Sequence, residues 1–119
     1  MFNKIRQIAA SVGGEFETVG ADKAAEMAVK PEVFILDART PGEYADGHLK
    51  NSVLIPHTEV QAKASELPAD KEKPILCYCA AGVRSAKACK VLTGLGYKKV
   101  YNLDGGINAW IEAGKPVIQ

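Results

Sequence analysis

The segment Cys79-Ala-Ala-Gly-Val-Arg84 gathers the chain's reactive chemistry into six residues. An apolar run, Pro74-Ile-Leu-Cys-Tyr78, precedes it, and a helical pattern opening at Ser85 follows it. A thiol between a strand's exit and a helix's entrance faces unpaired backbone N–H groups and the positive end of the helix dipole, conditions that favour thiolate. The two alanines and Gly82 leave little side-chain bulk, so the backbone can curl around a bound group, and Gly82 can take a positive φ. These residues read as an anion-binding cradle with a nucleophile at its floor. Such a cradle suits a substrate atom that is anionic before and after transfer. Sulfane sulfur meets that condition, because a thiolate that accepts it becomes a persulfide whose outer sulfur is charged at neutral pH and needs donors. The loop has no histidine, so activation falls to the surroundings rather than to a base.

The remaining polar candidates have plainer expectations. Cys77 lies inside the apolar strand and is expected in the core, its alternative being a resolving thiol. Cys89 shares a helix face with Leu92 and is also expected to pack. Three cysteines within thirteen residues do not form a disulfide framework, and their spacing with His48 and His57 matches no common zinc pattern. No metal site is expected. A cation at a helix's positive end is locally unfavourable, so Arg84 should have an anionic partner, either a ligand or a group bracing the loop. Asp37 and Arg39, at the end of another apolar run, read as an ion pair. His48 should cap or pack, and Trp110 with Ile107 and Ile111 should form an apolar helical edge buried in the core.

The elements that must position these residues alternate. Val33–Asp37, Pro74–Tyr78, Val53–Ile55 and Val100–Leu103 read as strands; the two longest are continuously apolar, as strands covered on both faces are. Helical patterns span Ala21–Val29, a short turn after Thr40, Thr58–Leu67, Ser85–Leu95 and Gly106–Ala113. Thr40-Pro-Gly-Glu43 has the form of a capping box with proline at the first helical position, and Gly47 supplies a stop. Alternation of this kind predicts an α/β fold, a parallel sheet with helices on both faces and a ligand site beyond the strands' carboxyl ends.

The whole chain sets further bounds. Its 119 residues suit one domain. Fifteen basic against fourteen acidic side chains give a net charge of +1, too balanced for a general nucleic-acid or membrane binder. That balance conceals an uneven distribution: Arg84, Lys87, Lys90, Lys98 and Lys99 fall between Cys79 and Leu103, with no acid among them. Lys87 and Lys90 are placed to steer an anion toward the helix start. No apolar run approaches the length of a membrane helix, and the opening MFNKIRQIAASVGG has no sustained apolar stretch, so a cytoplasmic protein is expected.

Several motifs occur in one order: Leu36-Asp-Ala-Arg39, Glu43-Tyr-Ala-Asp-Gly-His-Leu49, Ile55-Pro56, Cys79-Ala-Ala-Gly-Val-Arg-Ser85 and Asn102-Leu-Asp-Gly-Gly-Ile-Asn-Ala-Trp110. In these the sequence resembles the rhodanese family in its small single-domain form. The resemblance implies a five-stranded, mostly parallel sheet flanked by helices, formed by residues 15–119. Residues 1–14 are an extension that either packs as a helix or hangs free. It also implies a sulfurtransferase without a cofactor, in which Cys79 carries the transferred sulfur. The backbone amides around Ala80, Ala81, Gly82, Val83, Arg84 and Ser85 would hold the persulfide, with Arg84 as cationic contact or loop brace and Asp37 and Arg39 in support. The expected partners are a small anionic donor, thiosulfate or a polysulfide, and a thiophilic acceptor such as cyanide or a small-molecule or protein thiol. A persulfide carrier without turnover on small donors is the alternative. Four residues separate Cys79 from Arg84, the spacing of the family's sulfurtransferase branch; its phosphatase-like branch has a longer loop.

Overall fold

The computed structural model describes residues 15–119; the expectation for residues 1–14 lies outside them. Five strands, β1 (Glu17–Val19), β2 (Phe34–Asp37), β3 (Ser52–Leu54), β4 (Ile75–Tyr78) and β5 (Val100–Leu103), form one sheet in the order β1-β5-β4-β2-β3. Every pairing in it is parallel. Four helices lie between or after the strands: α1 (Ala21–Ala28), α2 (Pro41–Asp46), α3 (Val83–Gly94) and α4 (Gly106–Glu112). This is the expected α/β architecture, with the sheet wholly parallel where a mostly parallel one was expected.

Strand periodicity divides the core into two layers. Ile75 and Cys77 of β4 point to the face covered by Ala88, Cys89 and Leu92 of α3, with Val60 and Leu67 beside them. Leu76 and Tyr78 point to the opposite face, against Ala24 and Met27 of α1 and Ile107 and Trp110 of α4. β4 is the middle strand and its four residues are buried, which explains its continuous apolar run. In α3, Ser85, Ala88, Cys89 and Leu92 are buried, the i, i+3, i+4, i+7 stripe of a helix lying on a sheet. Its first turn therefore sits against the carboxyl end of β4.

Two expectations change. The strand readings omitted β1, which has three residues with only Val19 buried and so has no apolar run to betray it. The helix expected over Thr58–Leu67 is instead two short 3-10 turns, His57–Glu59 and Ala64–Glu66. Backbone bonds there run mainly from i to i−3, as from Glu66 N to Lys63 O and from Leu67 N to Ala64 O. Only Val60 and Leu67 anchor the segment fully in the core, too few contacts to favour a regular helix over tighter turns.

Candidate active site

The loop between β4 and α3 closes around the Cys79 sulfur. Gly82 N donates to Sγ at 3.1 Å and Ser85 N at 3.3 Å; the Ser85 hydroxyl lies 3.3 Å away. Gly82 makes the turn possible with φ 99°, in the left-handed region that side chains resist. Burial, the largest single influence, pushes the Cys79 thiol up. The Ser85 hydroxyl and the amides of Ser85, Gly82 and Ala81 together outweigh it and bring the thiol below its ordinary value. Cys79 is only 1% exposed, while Ala81 and Val83 on the rim are open to solvent. The sulfur is thus recessed beneath that rim, at the floor of the loop.

The loop is held from three sides. Arg84 pairs end-on with Glu43 of α2, Nη1 to Oε1 at 2.8 Å and Nη2 to Oε2 at 2.9 Å, so the anionic partner expected for it is a carboxylate of the chain itself. Glu43 is fixed in turn by the capping box: the amide of Thr40 donates to its Oε1 at 3.1 Å, and its own amide donates to Thr40 Oγ1 at 3.3 Å. Its hydrogen bonds with Arg84 carry the Glu43 carboxyl down to about 2. Beneath the loop, the start of α4 donates Ile107 N to Cys79 O at 2.8 Å and Asn108 N to Ala80 O at 3.1 Å. Gly106 permits that approach, since a Cβ there would fall 2.4 Å from Cys79 O. From β5, Asn102 accepts from the Ser85 hydroxyl at 2.6 Å and donates to Gly82 O at 3.1 Å.

Asp37 and Arg39 form a buried pair at 2.8 Å. Arg39 also donates to Gly47 O at 2.6 Å, and the Tyr78 hydroxyl donates to Asp37 Oδ2 at 2.7 Å, so the network ties the end of β2 to β4 and to the turn after α2. Burial first, and then the Asp37 charge, hold the Tyr78 hydroxyl well above its ordinary value, which keeps it a donor. His48 stacks on Tyr44 with ring centroids 3.7 Å apart, and its Nδ1 lies 2.8 Å from Tyr44 O. Trp110 is buried. Cys77 and Cys89 are buried together, and contact with the Cys89 thiol, followed by burial, pushes the Cys77 thiol up. Lys87, Lys90, Lys98 and Lys99 are exposed.

Of the residues picked from sequence, the structure aims the amides of Gly82 and Ser85 and the Ser85 hydroxyl at Cys79 Sγ, with Ala81 beside them. Val83 is exposed on the rim, Ala80 meets the start of α4 through its carbonyl, Arg84 turns its guanidinium to Glu43, and Asp37 and Arg39 pair at the end of β2. Sequence reasoning gave Asn102, Tyr78 and Gly106 no role in supporting the loop. One signal was present for the first: Asn102 is a lone polar side chain in an otherwise apolar strand, and it pairs in register with Cys77.

Comparison with known proteins agrees with this architecture. A Rhodanese-like domain model matches residues 20–113. A sulfurtransferase of Allochromatium vinosum is 37% identical over 77% of this chain and 84% of its own length. The thiosulfate sulfurtransferase GlpE of Coxiella burnetii is 34% identical over 74% and 80%. A tRNA uridine(34) hydroxylase of Hamiltonella defensa is 32% identical over 94% of this chain, which spans 35% of that longer protein. Among solved structures, a rhodanese-related protein from Thermoplasma volcanium superposes with a TM-score of 0.76 at 35% identity, over 87% of this chain and 98% of that one. With the matched region running from the start of α1 to the end of α4, the chain belongs to the rhodanese-like family, among relatives that include sulfurtransferases.

Proposed function

We propose that this protein transfers sulfane sulfur through a persulfide on Cys79. The observation that carries the reading is the convergence of the Gly82 and Ser85 amides and the Ser85 hydroxyl on one recessed sulfur. In the first half-reaction the Cys79 thiolate attacks the outer sulfur of the donor. A new S–S bond forms, and the donor's bond to that sulfur breaks with its electron pair leaving on sulfite or a shortened polysulfide. The negative charge now sits on the outer sulfur, within the same bowl of amides. In the second half-reaction an acceptor, cyanide or a thiol, attacks that sulfur and the electron pair returns to Cys79. The cycle needs no external oxidant or reductant.

The rim bears on the donor. Arg84, the loop's cation, is already neutralised by Glu43, so a doubly charged donor such as thiosulfate meets no free guanidinium. A polysulfide, slimmer and less charged at its end, suits the recess better; thiosulfate remains a usable donor. Exposure to either donor followed by mass spectrometry tests the proposal. A gain of one sulfur on Cys79, discharged rapidly by cyanide or a small thiol, is expected. Loading that only a partner protein removes would make the chain a carrier, and no loading on Cys79 would overturn the proposal.

A further inference from the structure

Two hydrogen-bond partners compete for one proton at Ser85. Its hydroxyl lies 2.6 Å from Asn102 Oδ1 and 3.3 Å from Cys79 Sγ, and a serine hydroxyl has a single hydrogen to give. The carboxamide cannot turn away: its Nδ2 donates to Gly82 O at 3.1 Å, which fixes Oδ1 toward Ser85. Both side chains are buried, so no solvent stands ready to replace a lost partner. While Cys79 is a thiol, the hydroxyl proton rests on Asn102, and the serine oxygen is left to accept from the thiol. Once the sulfur is ionised the same proton is drawn to it, and the Asn102 oxygen gives up its donor.

We propose that Asn102 is a positioning residue for Cys79: its carboxamide oxygen holds the Ser85 hydroxyl proton in competition with the sulfur and so limits how strongly the thiolate is stabilised. The consequence for turnover rests on the sulfur-transfer reading above. Accepting a sulfur moves the charge from Sγ to the outer atom, and the hydroxyl can return to Asn102, so its proton follows the charge. A sulfur held permanently by that hydroxyl would ionise more readily but attack more slowly, because nucleophilicity falls as a thiolate is stabilised.

Other charges around the sulfur are constant in this comparison. They are the Arg84 guanidinium, paired with Glu43 of α2, the Cys77 thiol on β4, and the Asp37–Arg39 pair at the end of β2; β5 contributes Asn102, and α4 contributes backbone N–H groups to the carbonyls of Cys79 and Ala80. Losing Asn102 also frees the Gly82 carbonyl, and a double-mutant cycle separates that loosening from the competition. The rate of Cys79 alkylation by iodoacetamide is followed against pH, by mass spectrometry of its peptide, in the wild type, Asn102→Ala, Ser85→Ala and the double variant.

The expected signature is in the coupling. Asn102→Ala should lower the midpoint by about half a pH unit more when Ser85 is present than when it is absent, about a threefold gain in thiolate below the midpoint. Zero coupling, or coupling of the opposite sign, overturns the proposal. If circular dichroism shows that Asn102→Ala does not fold, Asn102→Asp replaces it. Its carboxylate grips the hydroxyl harder, so the midpoint should rise more with Ser85 than without it, and an equal rise in both backgrounds overturns the proposal. The alkylation midpoint reads the acidity of Cys79 and requires no sulfur transfer, so loss of sulfur loading with this coupling intact would count against the proposed function and leave the role of Asn102 standing.

Discussion

Cys77 and Cys79 lie two residues apart, both buried, and their thiols are driven in opposite directions. Cys77 is within β4, its backbone groups spent on the sheet and its side chain pressed into the α3 core beside Cys89; its thiol is held up. Cys79 is one residue beyond the strand, where the chain turns back and points its own amides at the sulfur, and its thiol is brought down. Burial is common to both. What separates them is their neighbours: the Cys89 thiol stands against Cys77, whereas the Ser85 hydroxyl and backbone amides, which a strand interior cannot spare, are aimed at Cys79.

Replacing each thiol in turn breaks the comparison most sharply. Cys79→Ser should abolish sulfur loading and transfer. Cys77→Ser and Cys89→Ser should leave the loop's donors in place, so loading of Cys79 should continue, while stability falls by about 1–3 kcal/mol for a hydroxyl placed in an apolar layer. Sulfur loading by mass spectrometry together with urea unfolding checks both halves. Equal loss of loading in all three variants would show that the two environments do not differ in reactivity.

A smaller effect should come from the floor of the bowl. Gly106→Ala puts a Cβ 2.4 Å from Cys79 O and 2.5 Å from Ala80 O, at φ 60°, where backbone rather than a pliable side chain is in the way. Helix α4 must back off, and the bonds from Ile107 and Asn108 to the loop carbonyls lengthen or break. A loss of about 2–4 kcal/mol is expected in urea unfolding, with the alkylation midpoint of Cys79 rising toward that of an ordinary thiol. Cys77, set in the ladder of β4, should stay unreactive in the same variant. An unchanged midpoint would mean that the loop keeps its shape without α4.

Much of this was legible in the sequence because the signals were local. The apolar run of β4, the small residues after Cys79 and the Thr40-to-Glu43 capping box each occupy consecutive residues and have short-range causes. The supports of the loop were not legible, since each joins residues far apart in sequence: Arg84 with Glu43, Tyr78 with Asp37, Asn102 with Ser85, Gly106 with Cys79. Their partners follow from the strand order, which places β5 and β2 on either side of β4. The segment His57–Glu66 misled because its apolar spacing fits a helix, although too little of it is buried to enforce one.

The weakest of the three effects concerns the brace, which belongs to the Cys79 side of the comparison alone. Glu43 has its carboxyl near 2 when folded, against an ordinary 4.5, chiefly through its hydrogen bonds with Arg84. A carboxyl depressed by folding contributes stability that is fully present above the unfolded value. As pH falls below about 4.5 the unfolded chain takes up the proton first, so the contribution shrinks, and it is gone once the folded carboxyl is protonated below about 2. Both partners are about one-third exposed, so solvent screening limits the effect to under about 1 kcal/mol. Urea unfolding of the wild type and Glu43→Gln should show the wild type more stable at pH 6 and the difference closing between pH 4.5 and 2. A difference that stays constant across that window would mean that the Glu43 carboxylate braces the loop through shape rather than charge.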